Sequence, residues 1–293
     1  PRTIITPMRP LRLTESEIEF YRPLVASYLK YGSVDKVFTD FAHDTGVSYP
    51  HFHRILKQWG IVKSAGPQSR FAEAVYFLTA LAKNNLPLET LYKTMPPSLQ
   101  ISAVTLHRIL SYVKRGLTRR HGTALIVSPE SDPTVALIGK DISSPRPELG
   151  KPFGSYSLPM TYSKRTESAH DSILRVLQQE VAATLSVARN LPPLIPNDPK
   201  VLVMIDIADV RVRAYQVIVP DHLLEKLDSY KLTNLSFIPL AQIAANVGLE
   251  SSFRAGVPEI AAGLLAKAPS DLDTPLQLGS VLNQKLALLP AYV

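Results

Sequence analysis

The stretch Glu167 to Ala182, ESAHDSILRVLQQEVA, decides how the second half of the chain folds. Ala169, Ile173, Leu174, Leu177 and Val181 recur at the spacing of one helical face, which predicts an amphipathic helix. Upstream, TALIVS (Thr123 to Ser128) and TVALIGK (Thr134 to Lys140) read as two strands, and RPELGKPFGSYSLP (Arg146 to Pro159) is a Pro/Gly-rich loop leading toward the helix. Downstream, VLVMIDI (Val201 to Ile207) and VRVRAYQVIV (Val210 to Val219) read as paired strands, the second alternating like a half-buried sheet. FIPLAQIAANV opens a further helix at its Pro-Leu, and PEIAAGLLAKA reads as a closing helix. The Leu- and Pro-rich tail to Val293 is expected to pack on this domain or on a second copy of the chain, a homodimer.

The first part of the chain has a different texture. VSYPHFHRIL (Val47 to Leu56) is repeated as ISAVTLHRIL (Ile101 to Leu110), 54 residues on, with His53 falling on His107 and Arg54 on Arg108. Upstream, VDKVF (Val34 to Phe38) falls on LETLY (Leu88 to Tyr92). A period of this length suits a three-helix unit, so two copies are expected, over residues 1–66 and 67–121. In the first copy a helix is expected over Val34 to Asp44, then a turn at Gly46, then a helix from Tyr49 to Lys57 with Ser48 as N-cap and Pro50 in its first turn. The second copy departs from this pattern, with Pro96 and Pro97 at the positions of Ala42 and His43 and Gln100 at that of Gly46.

Charge divides the same way. Residues 1–121 carry 17 Lys and Arg against 8 Asp and Glu, a net +9, and the remainder carries 15 against 17, a net −2. A basic segment joined to a near-neutral one is the distribution expected of a nucleic-acid-binding part and a partner domain. The chain has no cysteine, which excludes disulfides, thiolate zinc sites and cysteine nucleophiles and agrees with a reducing, cytoplasmic setting. No run of about 18 apolar residues is long enough for a bilayer, so no membrane association is expected.

Two resemblances follow from these residues. Small Ala42, Gly46 four positions later and the apolar spacing of Phe41, Val47, Phe52 and Ile55 resemble the helix-turn-helix family. The resemblance implies double-stranded DNA as partner. The implied contacts are Ser48, Tyr49, His51, His53, Arg54 and Lys57 in the first unit and Thr105, His107, Arg108, Lys114 and Arg115 in the second, with Arg119 and Arg120 beyond.

From residue 122 the chain resembles the Nudix hydrolase family, whose box follows Leu-Pro with Gly-Gly, reaches a Glu, and eight residues later runs Arg-Glu-x-x-Glu-Glu-x-Gly. Leu158 and Pro159 sit on the Leu-Pro, Glu167 on the first glutamate and Arg175 on the arginine. The three glutamates that hold Mg²⁺ in the family fall on Val176, Gln179 and Glu180, and the box glycines fall on Met160, Thr161 and Ala182. A single carboxylate lacks the charge density to hold a hard cation against a diphosphate, so loss of hydrolysis is implied, with no metal, no cofactor and no catalytic residue.

The expected fold is therefore α+β: an all-α tandem helix-turn-helix part, then an α/β/α Nudix-like domain with a mixed sheet over residues 122–293. The expected function is that of a DNA-binding transcriptional regulator whose degenerate Nudix domain senses a nucleotide-like ligand or mediates dimerisation. Candidate ligand contacts on the loop around the box are Arg146, Lys151, Tyr156, Tyr162, Lys164 and Arg165. Acidic residues of the box helix are expected on its solvated face. Two alternatives stay open: a Nudix-type hydrolase with an unusual metal site built from Glu167, Asp171 and Glu180, and an adaptor whose helical units bind protein.

Overall fold

The computed structural model describes residues 13–41, 46–65, 89–90, 93, 120–145, 150–164, 166–207, 210–246, 252–267 and 273–280. Helix α1 (Glu15–Tyr31) opens with a reciprocal cap in which Thr14 accepts from the Glu17 amide while the Glu17 carboxylate accepts from the Thr14 amide. It closes at Gly32, whose φ of +67° is one that glycine adopts at little cost. Helix α2 (Val34–Asp40) is capped by Ser33, and α3 (Tyr49–Gln58) by Ser48, with Pro50 in its first turn. The expected middle helix extended to Asp44. In the structure it ends at Asp40, and Ala42 to Thr45 lie outside the described residues. Gly46 takes the positive φ, +57°, expected of the turn.

Leu24, Val25 and Leu29 of α1, Val37 of α2, and Phe52, Ile55 and Leu56 of α3 close one apolar core, completed by Trp59 and Ile61. Val187 and Tyr230, from the second half of the chain, join the same core. The first helical unit is thus packed onto the domain that follows rather than held apart by a linker. The expected second unit falls almost wholly outside the described residues, and with it Thr105, His107, Arg108, Lys114, Arg115, Arg119 and the Arg120 side chain.

The C-terminal part is a mixed-sheet α/β domain. Strand β1 (Arg120–Pro129) pairs antiparallel with β4 (Met160–Ser163) and parallel with β6 (Val210–Val219); β6 pairs antiparallel with β5 (Val203–Ile207), which pairs parallel with β8 (Leu276–Gly279). A smaller antiparallel sheet is formed by β3 (Tyr156–Ser157), β2 (Val135–Asp141) and β7 (Leu232–Pro239).

Alternation along β1 fixes the layers. Ala124 and Ile126 face one side, in a core with Ile243 of α6 (Leu240–Ala245) and Val257 and Ile260 of α7 (Val257–Leu265). Leu125 and Val127 face the other, against Ile173 and Val176 of α4 (Ala169–Val176) and the turn after it. The short helix α5 (Ala183–Val187) carries the chain away. Helices cover both faces of the sheet, which is the α/β/α layering expected of this part. Among the described residues no helix is long and apolar enough to cross a membrane.

Candidate functional site

The site is built around the box helix. Ser168 caps α4 by accepting from the Asp171 amide at 3.0 Å, which sets where the helix starts and puts Arg175 near its end. Arg175 is 1% exposed. Its Nη1 donates to Glu167 at 2.7 Å and to the Tyr162 carbonyl at 3.0 Å, its Nη2 donates to the other Glu167 oxygen, and its Nε donates to the Lys63 carbonyl at 2.8 Å. Each of the three guanidinium nitrogens is therefore bonded, and the charge is met by a carboxylate, as a buried cation requires.

Past Val176 the helix widens into a π-turn, Leu177–Val181, closed by the Ala182 amide donating to the Leu177 carbonyl. Gln178, Gln179 and Glu180 are all buried in it. Gln178 accepts from the Val62 amide at 2.9 Å and donates to the Gly60 carbonyl at 2.8 Å. Gln179 donates to Ser64 Oγ at 3.1 Å, and the Ser64 amide in turn donates to the Tyr28 hydroxyl at 2.9 Å. Nearby, Trp59 Nε1 donates to the Val187 carbonyl at 3.1 Å. The surface of the box helix is thus the dock for residues 59–64 of the helical unit.

The expectation of a solvated acidic face fails at two positions. Glu167 is buried in its ion pair with Arg175. Glu180 is 4% exposed, accepts from the Met160 amide at 2.7 Å and lies 3.7 Å from Lys231 Nζ. Burial pushes its carboxyl above the usual carboxylate range, opposed by Lys231 and by the Met160 amide. Only Asp171 keeps an exposed side chain. The reason is tertiary: the strap of residues 59–64 and strand β4 cover what a lone helix would leave to water.

These residues do not fit a family-type divalent-cation centre. Val176 points into the apolar core, Gln179 offers an amide already bonded to Ser64 and to Lys231 (2.6 Å), and Glu180 is engaged as described. Among the described residues no group of three or more His, Asp or Glu is arranged to hold a metal ion.

Between the helical unit and the sheet domain lies a cleft of about 480 Å³. The domain contributes Asp141, Lys151, Tyr162, Lys231 and Arg254; the helical unit contributes Lys30, Tyr31, Gly32 and Lys36. Lys151, expected as a ligand contact on the loop around the box, has a side chain only 12% exposed. It lies 3.2 Å from Asp141 and donates to Ser143 Oγ and the Ser144 carbonyl. Its burial lowers its pKa, with Asp141 opposing. Arg254 Nη1 sits 3.8 Å from the same Asp141 carboxylate. Arg254 Nε and Thr161 Oγ1, both buried, have no hydrogen-bond partner among the described residues.

Of the residues expected to touch a ligand, Lys151 and Tyr162 line the cleft. Tyr156 does not: it belongs to the core beside Phe253, because β3 pairs with β2 and turns that ring inward. Lys164 is exposed outside the cleft, and Arg146 and Arg165 lie outside the described residues. Lys30, Lys36, Asp141, Lys231 and Arg254 were not legible as site residues, since they come from segments far apart in sequence and carry no motif.

On α3, Ser48, Tyr49, Arg54 and Lys57 are exposed, Tyr49 stacking on Phe38 at 4.4 Å between ring centroids. His51 and His53 are half-buried. His51 Nε2 is 2.9 Å from the Tyr21 hydroxyl, and burial, aided by Lys63, pushes the His53 imidazole below its usual range.

No protein-family model matches the chain, and no curated protein matches it. Solved structures similar to it include a MutT protein from a study of Aliivibrio salmonicida and Vibrio cholerae, 15% identical, covering 51% of this chain and 100% of that one, with a TM-score of 0.35. A MutT protein from Methanosarcina mazei is 17% identical over 51% of this chain and 97% of its own, with a TM-score of 0.34. The NUDIX domain of Shewanella oneidensis NrtR, solved with ADP ribose, is 15% identical over 50% of this chain and 86% of its own, again with a TM-score of 0.34.

Proposed function

We propose that the chain is a DNA-binding regulator whose C-terminal domain is a Nudix-type domain that binds a nucleotide-like anion without hydrolysing it. The observation that carries this is the use made of the box helix. Of the positions where the family's glutamates would stand, Val176 lies in the apolar core, Gln179 bonds to Ser64 of the helical unit and to Lys231, and the one carboxylate, Glu180, is held by Lys231 and the Met160 amide. A centre that neutralises developing phosphate charge through a metal needs carboxylates that are clustered and accessible. An anion, by contrast, is favoured by the lysines and arginine that line the cleft.

DNA binding is supported by the net +9 of residues 1–121 and by α3, a capped helix presenting Tyr49, Arg54 and Lys57 outward. His51 and His53 are half-buried and His51 is bonded to the Tyr21 hydroxyl, so of the expected contacts the exposed ones are Tyr49, Arg54 and Lys57 of α3 and its cap Ser48. Fluorescence-anisotropy titration of the whole chain with mixed-sequence duplex DNA across a salt series tests the first half of the proposal, with tight, steeply salt-dependent binding expected. No affinity at any salt concentration would leave the helical unit as a protein-binding adaptor. Turnover of nucleoside diphosphate derivatives with Mg²⁺ or Mn²⁺ would replace the second half with the hydrolase alternative.

A further inference from the structure

We infer that the cleft is a clamp: an anionic nucleotide held from both sides, by Lys30 and Lys36 of the helical unit and by Lys151, Lys231 and Arg254 of the sheet domain, fastens the two units together. The inference rests on the proposed binding of a nucleotide-like anion and goes beyond it, because it assigns half of the site to a part of the chain outside the sheet domain.

Four observations converge on it. Leaving aside Arg175, whose charge is met by Glu167, five cationic side chains line the cleft against two carboxylates, Asp141 and Glu180. The inner cations are partly neutralised, Lys151 and Arg254 by Asp141 and Lys231 by Glu180. At the outer edge, the Nζ atoms of Lys30 and Lys36 lie over the exposed Tyr31 ring, 5.2 and 5.3 Å from its centroid, and neither forms an ion pair among the described residues. They supply positive charge that no ion pair among the described residues offsets, held at the mouth by cation–π contact with Tyr31.

Deeper in, Arg254 Nε and Thr161 Oγ1 are buried and have no hydrogen-bond partner among the described residues, and leaving such groups unmet costs free energy. The volume of about 480 Å³ lies within the range of small-molecule pockets. Finally, the wall itself is composite. Gly32 of the helical unit approaches Ser64 so closely that a Cβ there would lie 2.6 Å from Ser64 Oγ, and Ser64 is held by Gln179 on the cleft floor. A ligand touching both walls therefore closes a junction that the protein already joins through residues 60–64.

The test is calorimetric titration of the whole chain with ADP, alongside Lys36→Glu, Arg254→Met and, as a control of equal charge change on an exposed residue away from the cleft, Lys226→Glu. Lys36→Glu and Arg254→Met are each expected to weaken ADP by about tenfold or more, as loss of a charge-assisted contact should, with Lys226→Glu unchanged. Bound ADP is also expected to slow amide hydrogen exchange in residues 60–65. Because Lys36 is exposed, its replacement is compatible with a folded chain, which the thermal midpoint checks. ADP binding that is indifferent to Lys36→Glu would overturn the clamp while leaving ligand binding by the sheet domain intact. Absence of ADP binding by the unaltered chain would overturn the clamp and the ligand half of the proposed function together, without touching DNA binding.

Discussion

At the scale of single residues, two buried carboxylates set the electrostatics of the box helix. Glu167 and Arg175 are a matched pair with nearly full burial, 7% and 1% exposed at the side chain. Arg175→Met should therefore leave Glu167 charged, buried and unmatched, and cost about 3–5 kcal/mol in the unfolding free energy measured by urea denaturation. Glu180 works the other way. Its folded-state pKa is raised by burial, so its proton is held more tightly in the folded chain than in the unfolded one. The stability linked to that proton is fully present below the unfolded carboxyl pKa and is lost as pH rises through the raised folded value. Glu180→Gln keeps an acceptor for the Met160 amide and removes the titration. Its urea midpoint is thus expected to gain on that of the unaltered chain as pH rises from about 4.5, the range where an unperturbed glutamate ionises. A constant difference across that range would mean that Glu180 does not titrate differently on folding.

At the scale of elements, the π-turn and the segment 59–64 act as a pair. The widened turn brings Gln178 and Gln179 side by side under the segment, and three of their amide hydrogen bonds end on Gly60, Val62 and Ser64. Trp59 pins the segment's start, its indole donating to the Val187 carbonyl and its ring lying 5.5 Å from the Arg189 guanidinium. It is the chain's single tryptophan, so its emission reports on the docked interface. Trp59→Phe should leave the buried Val187 carbonyl without its donor and cost about 1–3 kcal/mol. Gly32→Ala places a Cβ against Ser64 at a φ of +67° and is expected to destabilise by roughly 1–2 kcal/mol, with a red shift of Trp59 emission as the segment lifts. An unshifted spectrum in a destabilised Gly32→Ala protein would show that the strain stays within α1.

At the scale of the whole molecule, charge is separated from apolar burial. Residues 1–66 carry 9 Lys and Arg against 6 Asp and Glu, a net +3, in a unit whose apolar core reaches across to Val187 and Tyr230. Docking leaves the outer edge of α3 exposed, with Arg54 and Lys57 one helical turn apart. If these side chains meet phosphates, Arg54→Ala and Lys57→Ala should each reduce the slope of log affinity against log salt by about 1. If Arg54 reads a base edge, it should instead cost about 1–3 kcal/mol on the preferred sequence and relax preference at one position. Salt slopes and affinities unchanged in both variants would remove α3 from the interface.

The strands, the capped helices and the match of Glu167 and Arg175 to a family box were legible in the sequence because they rest on local periodicity, caps and fixed spacing. Ser48 and Gly46 behaved as their chemistry dictates, and the alternation of β1 and β6 set which side chains face each helical layer. The same local logic misplaced Tyr156 and the acidic face of the box helix, since neither strand pairing nor a covering segment is written in a helix's own pattern. Lys30, Lys36, Asp141, Lys231 and Arg254 share a cleft only because the helical unit docks on the box helix. Local order follows from interactions a few residues apart. The union of the two units and the cleft between them depend on contacts between residues more than a hundred positions apart, and the burial of Glu180 on its contacts with Met160 and Lys231 from other elements; all of these exist only in the folded chain.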